Sequence, residues 1–385
     1  MWSINNKNKF LIQRFVDATS GFFLSLFFIV GKRKKRIIFN STVNKDFTFN
    51  SKYLFLNHKN KFEELGFEVK FIINDDKKRE HLNRELGDYF ISNKGFLQKV
   101  YILKAKCWVM STMDAPVSGL FMKYHRLVIQ LGHGTPLKNI GLMDQSAGLM
   151  KKLYYKVMST NISYYLSPSD YFSDYIGKAF GVTNEQVLVA RQPRLDSMNK
   201  SCSEFIESFR KNKNTKFTLY SPTWRPYDDV RLFPFHDFNK NELNSKLEEE
   251  NTVIFIRLHP KFEVNLSQFV GKNIVNLDSN KVEDITEHLN QFDTLITDYS
   301  SIYCDFAMLN KPVGFLPYDI NEYSKHVGFS FDYNELTWGK AIKKQDDWFN
   351  HVKPINKDTA KKINLEQSKQ DISHFMIHYF ESSLF

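Results

Sequence analysis

Thr252-Val253-Ile254-Phe255-Ile256-Arg257-Leu258-His259-Pro260 is an apolar run that stops abruptly at polar residues. A strand with one wet face would alternate apolar and polar positions. A run that is apolar almost throughout marks a strand buried on both faces, as in a parallel sheet covered by helices. The same unit recurs on either side. Ile37–Phe39, Glu68–Ile73, Cys107–Met110, Leu127–Gln130, Tyr164–Ser167 and Val187–Ala190 form a first set of such runs. Phe217–Tyr220, Thr252–Arg257, Ile274–Leu277, Thr294–Thr297 and Val313–Leu316 form a second, and helical stretches separate them. This alternation predicts an α/β fold with two Rossmann-like domains. Lys200 to Lys216 is polar and Lys-rich, which places the seam near 196–215. The expected divisions are 1–36, 37–200 and 201–385. The stretch from about 357 to 381 has weak helical periodicity through Ile363, Ile372, Phe375, Met376 and Tyr379, as of a helix crossing back to the first domain. Ligands in such sheets sit at the carboxyl ends of strands.

The composition agrees with an ordered chain. Over 385 residues, 42% are hydrophobic, 25% charged and 15% aromatic, which excludes a disulfide miniprotein, a fibrous chain and a disordered one. Cys107, Cys202 and Cys304 are widely spaced with no CxxC pair, so neither a disulfide framework nor a zinc knuckle is expected. The net charge of +10 is concentrated: Lys7, Lys9, Arg14 and Lys32 to Arg36 face a single acid, Asp17, in the first 36 residues. A nearly neutral remainder argues against a nucleic-acid partner. From Phe10 to Val30 the sequence begins amphipathic and ends in an apolar run that is too short to span a bilayer, and a basic cluster follows. That pattern predicts an in-plane helix held at an anionic membrane surface, with a helix docked on the protein's own core as the alternative.

Six polar motifs follow expected strands. In Gln130-Leu131-Gly132-His133-Gly134-Thr135-Pro136-Leu137-Lys138, two glycines leave His133 free to act as a general base. Arg257 and His259 share one face of an extended segment and offer charge-assisted donors to a phosphate, unless Arg257 pairs with a carboxylate at the sheet edge. Thr297-Asp298-Tyr299-Ser300-Ser301-Ile302-Tyr303-Cys304-Asp305-Phe306 ends a strand and opens a helix, a place suited to an anion or simply to capping. Ser167-Pro168-Ser169-Asp170 reads as a helix cap. Arg225 in Tyr220-Ser221-Pro222-Thr223-Trp224-Arg225 could neutralise a diphosphate, and Gln192-Pro193-Arg194-Leu195-Asp196 is a turn at the seam. No Walker loop, GxGxxG, GxSxG or HExxH is present, which excludes the chemistries those motifs carry.

Taken in order over about 115–320, these motifs resemble the CDP-glycerol glycerophosphotransferase family, whose enzymes prime and polymerise teichoic acids and related capsule polymers. The resemblance implies a GT-B-like arrangement, with an acceptor domain and a nucleotide domain around a cleft, peripheral on the cytoplasmic face of the membrane. It implies transfer of glycerol phosphate from CDP-glycerol to a hydroxyl of a membrane-anchored glycan or polymer, with CMP leaving and no metal. His133 would take the acceptor's proton, with His259 the second catalytic residue. Arg225, Arg257, His259, Ser300 and Ser301 would stabilise the donor's charge, and Asp305 would reach its ribose or cytosine. Gly134, Thr135, Lys138, Ser169 and Arg194 would line the acceptor side. The chain departs from the family at Gly132, where an aromatic residue is common, and at Gln192 and Leu195, where Gly and Asn are. A CDP-ribitol or nucleotide-sugar donor keeps the same fold, and a non-catalytic polymer-binding scaffold is the reading from another class.

Overall fold

The computed structural model describes residues 21, 23–26, 28, 31–145, 147–198, 202–258, 266–363 and 371–382. The chain divides into two units, Met1–His133 with Ala147–Arg194 and Lys369–Phe385, and Gly134–Ser146 with Leu195–Ser368.

In the first unit the chain order is β1 (Lys34–Asn40), α1 (Phe49–Glu64), β2 (Glu68–Ile72), α2 (Asp76–Leu86), β3 (Phe90–Ile91), α3 (Phe96–Leu103), β4 (Ala105–Met110), β5 (Leu127–Gln130), α4 (Leu149–Ser159), β6 (Tyr164–Ser167), α5 (Asp170–Phe180) and β7 (Val187–Val189). The strands form one sheet in the order β3-β2-β1-β4-β5-β6-β7, every pair parallel. This is the Rossmann order, in which the chain reverses direction across the sheet between β1 and β4. One face is filled by aromatics: Phe39, Phe47, Phe55, Phe71 and Phe90 pack largely edge to face, with Phe47 5.1 Å from Phe90 and 4.9 Å from Phe71.

The second unit repeats the plan in β8 (Lys216–Ser221), α6 (Lys240–Glu249), β9 (Thr252–Ile256), β10 (Ile274–Asn276), β11 (Thr294–Thr297), α7 (Ile302–Ala307) and β12 (Val313–Phe315). Its parallel sheet runs β10-β9-β8-β11-β12, so its reversal point lies between β8 and β11. All five residues of β9 are buried, as its apolar run requires. The Asn239 side chain accepts from the Asn241 and Glu242 N–H groups and starts α6. The final helix, α8 (Ile372–Ser382), returns to the first unit: Ile372, Met376 and Phe380 recur every four residues and are buried in its core, with Phe380 4.3 Å from Phe67.

Three expectations about boundaries change. The seam falls at Arg194 and Leu195, and residues 134–146 join the second unit although they were assigned with 37–200. Backbone pairing is the reason: Lys138 bridges antiparallel to Phe329, Asn139 N–H donates to Gly328 O and Ser330 N–H to Leu137 O. The basic segment also ends earlier than residue 36. β1 starts at Lys34, and Arg36 is buried against Glu68, the Tyr101 carbonyl and the Tyr101 ring. Arg33 donates to the Leu103 and Tyr124 carbonyls, so Lys32, Lys34 and Lys35 are the exposed cations of the cluster. Of the in-plane helix expected from Phe10 to Val30, residues 10–20, 22, 27, 29 and 30 lie outside the described residues. In the described part, Gly21 lies so close to Ser118 that a Cβ would come within 1.7 Å of its carbonyl oxygen, and Ser25 is buried while Phe23 is 65% exposed.

Candidate functional site

In the first unit, β5 delivers the chain to Leu131, and Gly132 takes φ 69°, a left-handed conformation that glycine adopts without penalty. The departure from an aromatic residue at this position thus has a backbone explanation. His133 follows on the surface. Its carbonyl accepts from the Arg194 guanidinium at 2.8 Å, and the Phe49 ring lies 5.4 Å from its imidazole. Asn50, beside Phe49 at the start of α1, is fully buried and donates to the Leu131 and Gly132 carbonyls, each at 3.0 Å. The same amide reaches Gln192 Oε1 at 3.3 Å and accepts the Arg194 N–H at 3.2 Å. Gln192, the second departure, is therefore buried in a hydrogen-bonded position.

In the second unit, two motifs meet at the reversal point of the sheet. Beyond β8 lies Pro222-Thr223-Trp224-Arg225, and beyond β11 Asp298-Tyr299-Ser300-Ser301. Arg225 carries no side-chain exposure. Its guanidinium donates to Asp298 Oδ2 at 2.8 Å, to Asp319 at 2.9 and 2.7 Å, and to the Thr223 carbonyl. Three tyrosine rings, of Tyr299, Tyr318 and Tyr323, lie within 5.3 Å of it. Burial alone would raise the Asp319 carboxyl, but hydrogen bonds and charge from Arg225, with Tyr227 and Tyr299 donating as well, hold it below its ordinary value. The donors of Arg225, expected to neutralise a diphosphate, here serve two carboxylates and a carbonyl.

Arg257 is likewise turned inward. It is buried and donates to the Leu277, Val282 and Glu283 carbonyls, so it fixes the 277–283 loop instead of pairing with a carboxylate or presenting its face outward. Burial lowers its pKa, with Asp284 and Asp278 opposing. His259 lies outside the described residues. Ser300 and Ser301 precede α7 and are partly exposed, and the Ser300 hydroxyl accepts weakly from the Ile302 N–H at 3.5 Å. α7 itself has six residues, and Asp305, assigned to the nucleoside, is buried within it.

Of the residues expected on the acceptor side, Gly134 is half-buried and Thr135 buried. Lys138 is partly exposed, and desolvation lowers its ammonium to about 8, with Asp298 opposing the shift and Arg225 adding to it. Lys138 therefore belongs electrostatically to the Arg225 cluster of the second unit. Ser169 is buried at the entry of α5, its carbonyl accepting from Ser167 and Ser173, which is a helix-start arrangement. Among the described residues no three His, Cys, Asp or Glu side chains are grouped to hold a metal ion. The sequence missed Phe49, Asn50 and Asp319, which stand in no motif. Asp298 stood in one, but as a cap. Its Oδ1 does accept the Tyr299 and Thr223 N–H groups while Oδ2 holds Arg225.

Comparison with known proteins bears on these sites together. Among curated relatives, a teichoic acid glycerol-phosphate transferase of Staphylococcus aureus is 26% identical over 369 residues, covering 92% of this chain and 91% of its own. A teichoic acid poly(glycerol phosphate) polymerase of Bacillus subtilis is 28% identical over 352 residues, 86% of this chain but 46% of the polymerase, so the chain spans about half that enzyme's length. Among solved structures, the wall teichoic acid polymerase TagF superposes with a TM-score of 0.72 at 20% identity over 100% of both chains, which establishes a GT-B-like two-domain fold. The family model for CDP-glycerol:poly(glycerophosphate) glycerophosphotransferase matches residues 22–374, and the chain belongs to that family.

Proposed function

We propose that this glycerophosphotransferase moves glycerol phosphate from CDP-glycerol to a hydroxyl of a membrane-anchored glycan or polyol-phosphate polymer, releasing CMP. The observation that carries the reading is His133: an exposed imidazole at a strand end whose backbone is held from Asn50 and Arg194. An exposed imidazole can take a hydroxyl proton near neutral pH, and the alkoxide so formed attacks the β-phosphorus in line as CMP departs. Phosphoryl transfer of this kind is mostly positioning and charge stabilisation. Ser300, Ser301 and the backbone at the β8 and β11 ends are the groups assigned to the donor, with Arg225 holding the loops that carry them. With protein groups assigned to the diphosphate, the reaction is proposed to need no divalent metal.

Incubation with CDP-glycerol, CDP-ribitol and UDP-sugars, plus lipid-linked acceptor and with or without EDTA, tests this by the nucleotide released. CMP from CDP-glycerol in the presence of EDTA is the expected result. UDP release, or CMP from CDP-ribitol alone, overturns the donor assignment, and silence with every donor favours the scaffold reading.

A peripheral position at an anionic membrane is also proposed. No helix among the described residues is long and apolar enough to cross a bilayer. α4 supports a surface position: Leu149 is 87% and Met150 79% exposed, Leu153, Tyr154 and Val157 are exposed on the same helix, and Lys151 and Lys156 stand among them. Exposed apolar side chains interleaved with lysines suit the headgroup boundary of an acidic bilayer.

A further inference from the structure

His133 receives its geometry from the start of α1, a part of the chain that carries no recognisable motif. Asn50 is fully buried, and its primary amide gives two N–H donors and an acceptor in one plane. Those donors serve the carbonyls of Leu131 and Gly132, the two residues before His133, and its oxygen takes the backbone N–H of Arg194, whose guanidinium closes the ring on the His133 carbonyl. The preceding residue, Phe49, sits at φ 62°, an uncommon conformation for a bulky side chain and one that persists where the surroundings enforce it. In that conformation its ring stands 5.4 Å from the imidazole at an interplanar angle of 50°.

We propose that Phe49 and Asn50 are positioning residues for His133, Asn50 fixing the backbone of its loop and Phe49 confining the imidazole. The proposal rests on the reading of His133 as the base. A carboxylate at position 50 would keep the shape of the side chain while turning both donors into acceptors against two carbonyls. An alanine at 49 would leave the loop in place and take the aromatic contact away from the imidazole.

The test uses the full chain with CDP-glycerol and acceptor and compares Asn50→Asp, Phe49→Ala, Phe49→Tyr and His133→Ala. CMP release gives kcat, calorimetry gives CDP affinity, and thermal unfolding monitors the fold. Asn50→Asp and Phe49→Ala are expected to lower kcat by about 10- to 100-fold with CDP affinity unchanged, and Phe49→Tyr to keep near-wild-type kcat. If His133→Ala is inactive while Phe49→Ala turns over normally, the proposal falls and the base assignment stands. It also falls if kcat declines only in step with thermal stability, or if Phe49→Tyr is as slow as Phe49→Ala. Phe49→Ala keeps the test decisive should Asn50→Asp fail to fold. An active His133→Ala removes the base itself and the proposal with it, an outcome read in a different variant.

Discussion

Replacing Arg225 with methionine separates two accounts of the second unit. If the guanidinium faced the donor's diphosphate, its loss would cost affinity and leave the fold intact. The structure argues the reverse. Asp298 and Asp319 retain 3% and 16% side-chain exposure, and Arg225 is the cation hydrogen-bonded to both. Removing one partner of a buried ion pair costs about 3–5 kcal/mol, because the remaining charge is left uncompensated. Two carboxylates are orphaned here, although each keeps help: Asp319 the hydroxyls of Tyr227 and Tyr299, Asp298 the N–H groups of Thr223 and Tyr299. Cation–π contact with three tyrosine rings adds about 0.5–1 kcal/mol apiece. The sum for Arg225→Met is about 4.5–8 kcal/mol, and at about 2–4 °C per kcal/mol for a domain of this size the unfolding transition should fall by about 10–30 °C.

Differential scanning calorimetry on the full chain, with CDP titrated well below the transition, reads both quantities. An unchanged melting temperature with CDP affinity lost would refute the reasoning and return Arg225 to the phosphates. Arg225→Lys should recover only part of the stability, since an ammonium cannot serve two carboxylates in the fork geometry of a guanidinium.

His133→Ala should reduce CMP release by about 10²- to 10⁴-fold while CDP affinity persists, and near-wild-type turnover in purified protein would remove it from the mechanism. The Asp319 carboxyl lies below its ordinary value of 3.8 in the folded chain, so its contribution to stability is present above that value and is lost as the pH falls through the folded one. Denaturant titrations at descending pH should therefore show wild type losing stability in that acid window, with a smaller loss in Asp319→Asn, and identical slopes would contradict the assignment. On α4, Leu149→Ser with Met150→Ser should release protein from vesicles of anionic lipid, and Lys151→Gln with Lys156→Gln should make the remaining binding less sensitive to salt. Flotation that is unaffected by either pair would move the membrane contact off this helix.

Strands were legible in the sequence where burial on both faces removes polar residues from a run. β9 is the clearest case, and Leu127–Gln130, Tyr164–Ser167 and Thr294–Thr297 have the bounds expected of them. β3 escaped because Phe90–Ile91 is a two-residue edge strand, too short to show a period. The fate of residues 134–146 was hidden for another reason. Their attachment to the second unit runs through backbone groups of 328–330, nearly two hundred residues along the chain, and backbone pairing leaves no composition to read.

The candidate sites show a sharper division between what residue type reveals and what it does not. The sequence located the polar loops at strand ends and read the motif arginines as ligand groups, with an internal carboxylate partner left open for Arg194 and Arg257. Arg194 donates to the His133 carbonyl, Arg225 to two aspartates, and Arg257 to three carbonyls. Their counterparts lie at a distance: 61 residues for Arg194, 73 and 94 for Arg225, and 20 to 26 for Arg257. A guanidinium in a loop carries the same signal whether it meets a phosphate or a neighbouring turn, and only the fold decides. These loops leave strand ends, and a five-donor side chain is an effective way to give a loop a fixed shape. On that argument the arginines build the loops, which leaves contact with substrate, as proposed above, to smaller groups at strand ends: in the first unit the imidazole of His133, and in the second the hydroxyls of Ser300 and Ser301.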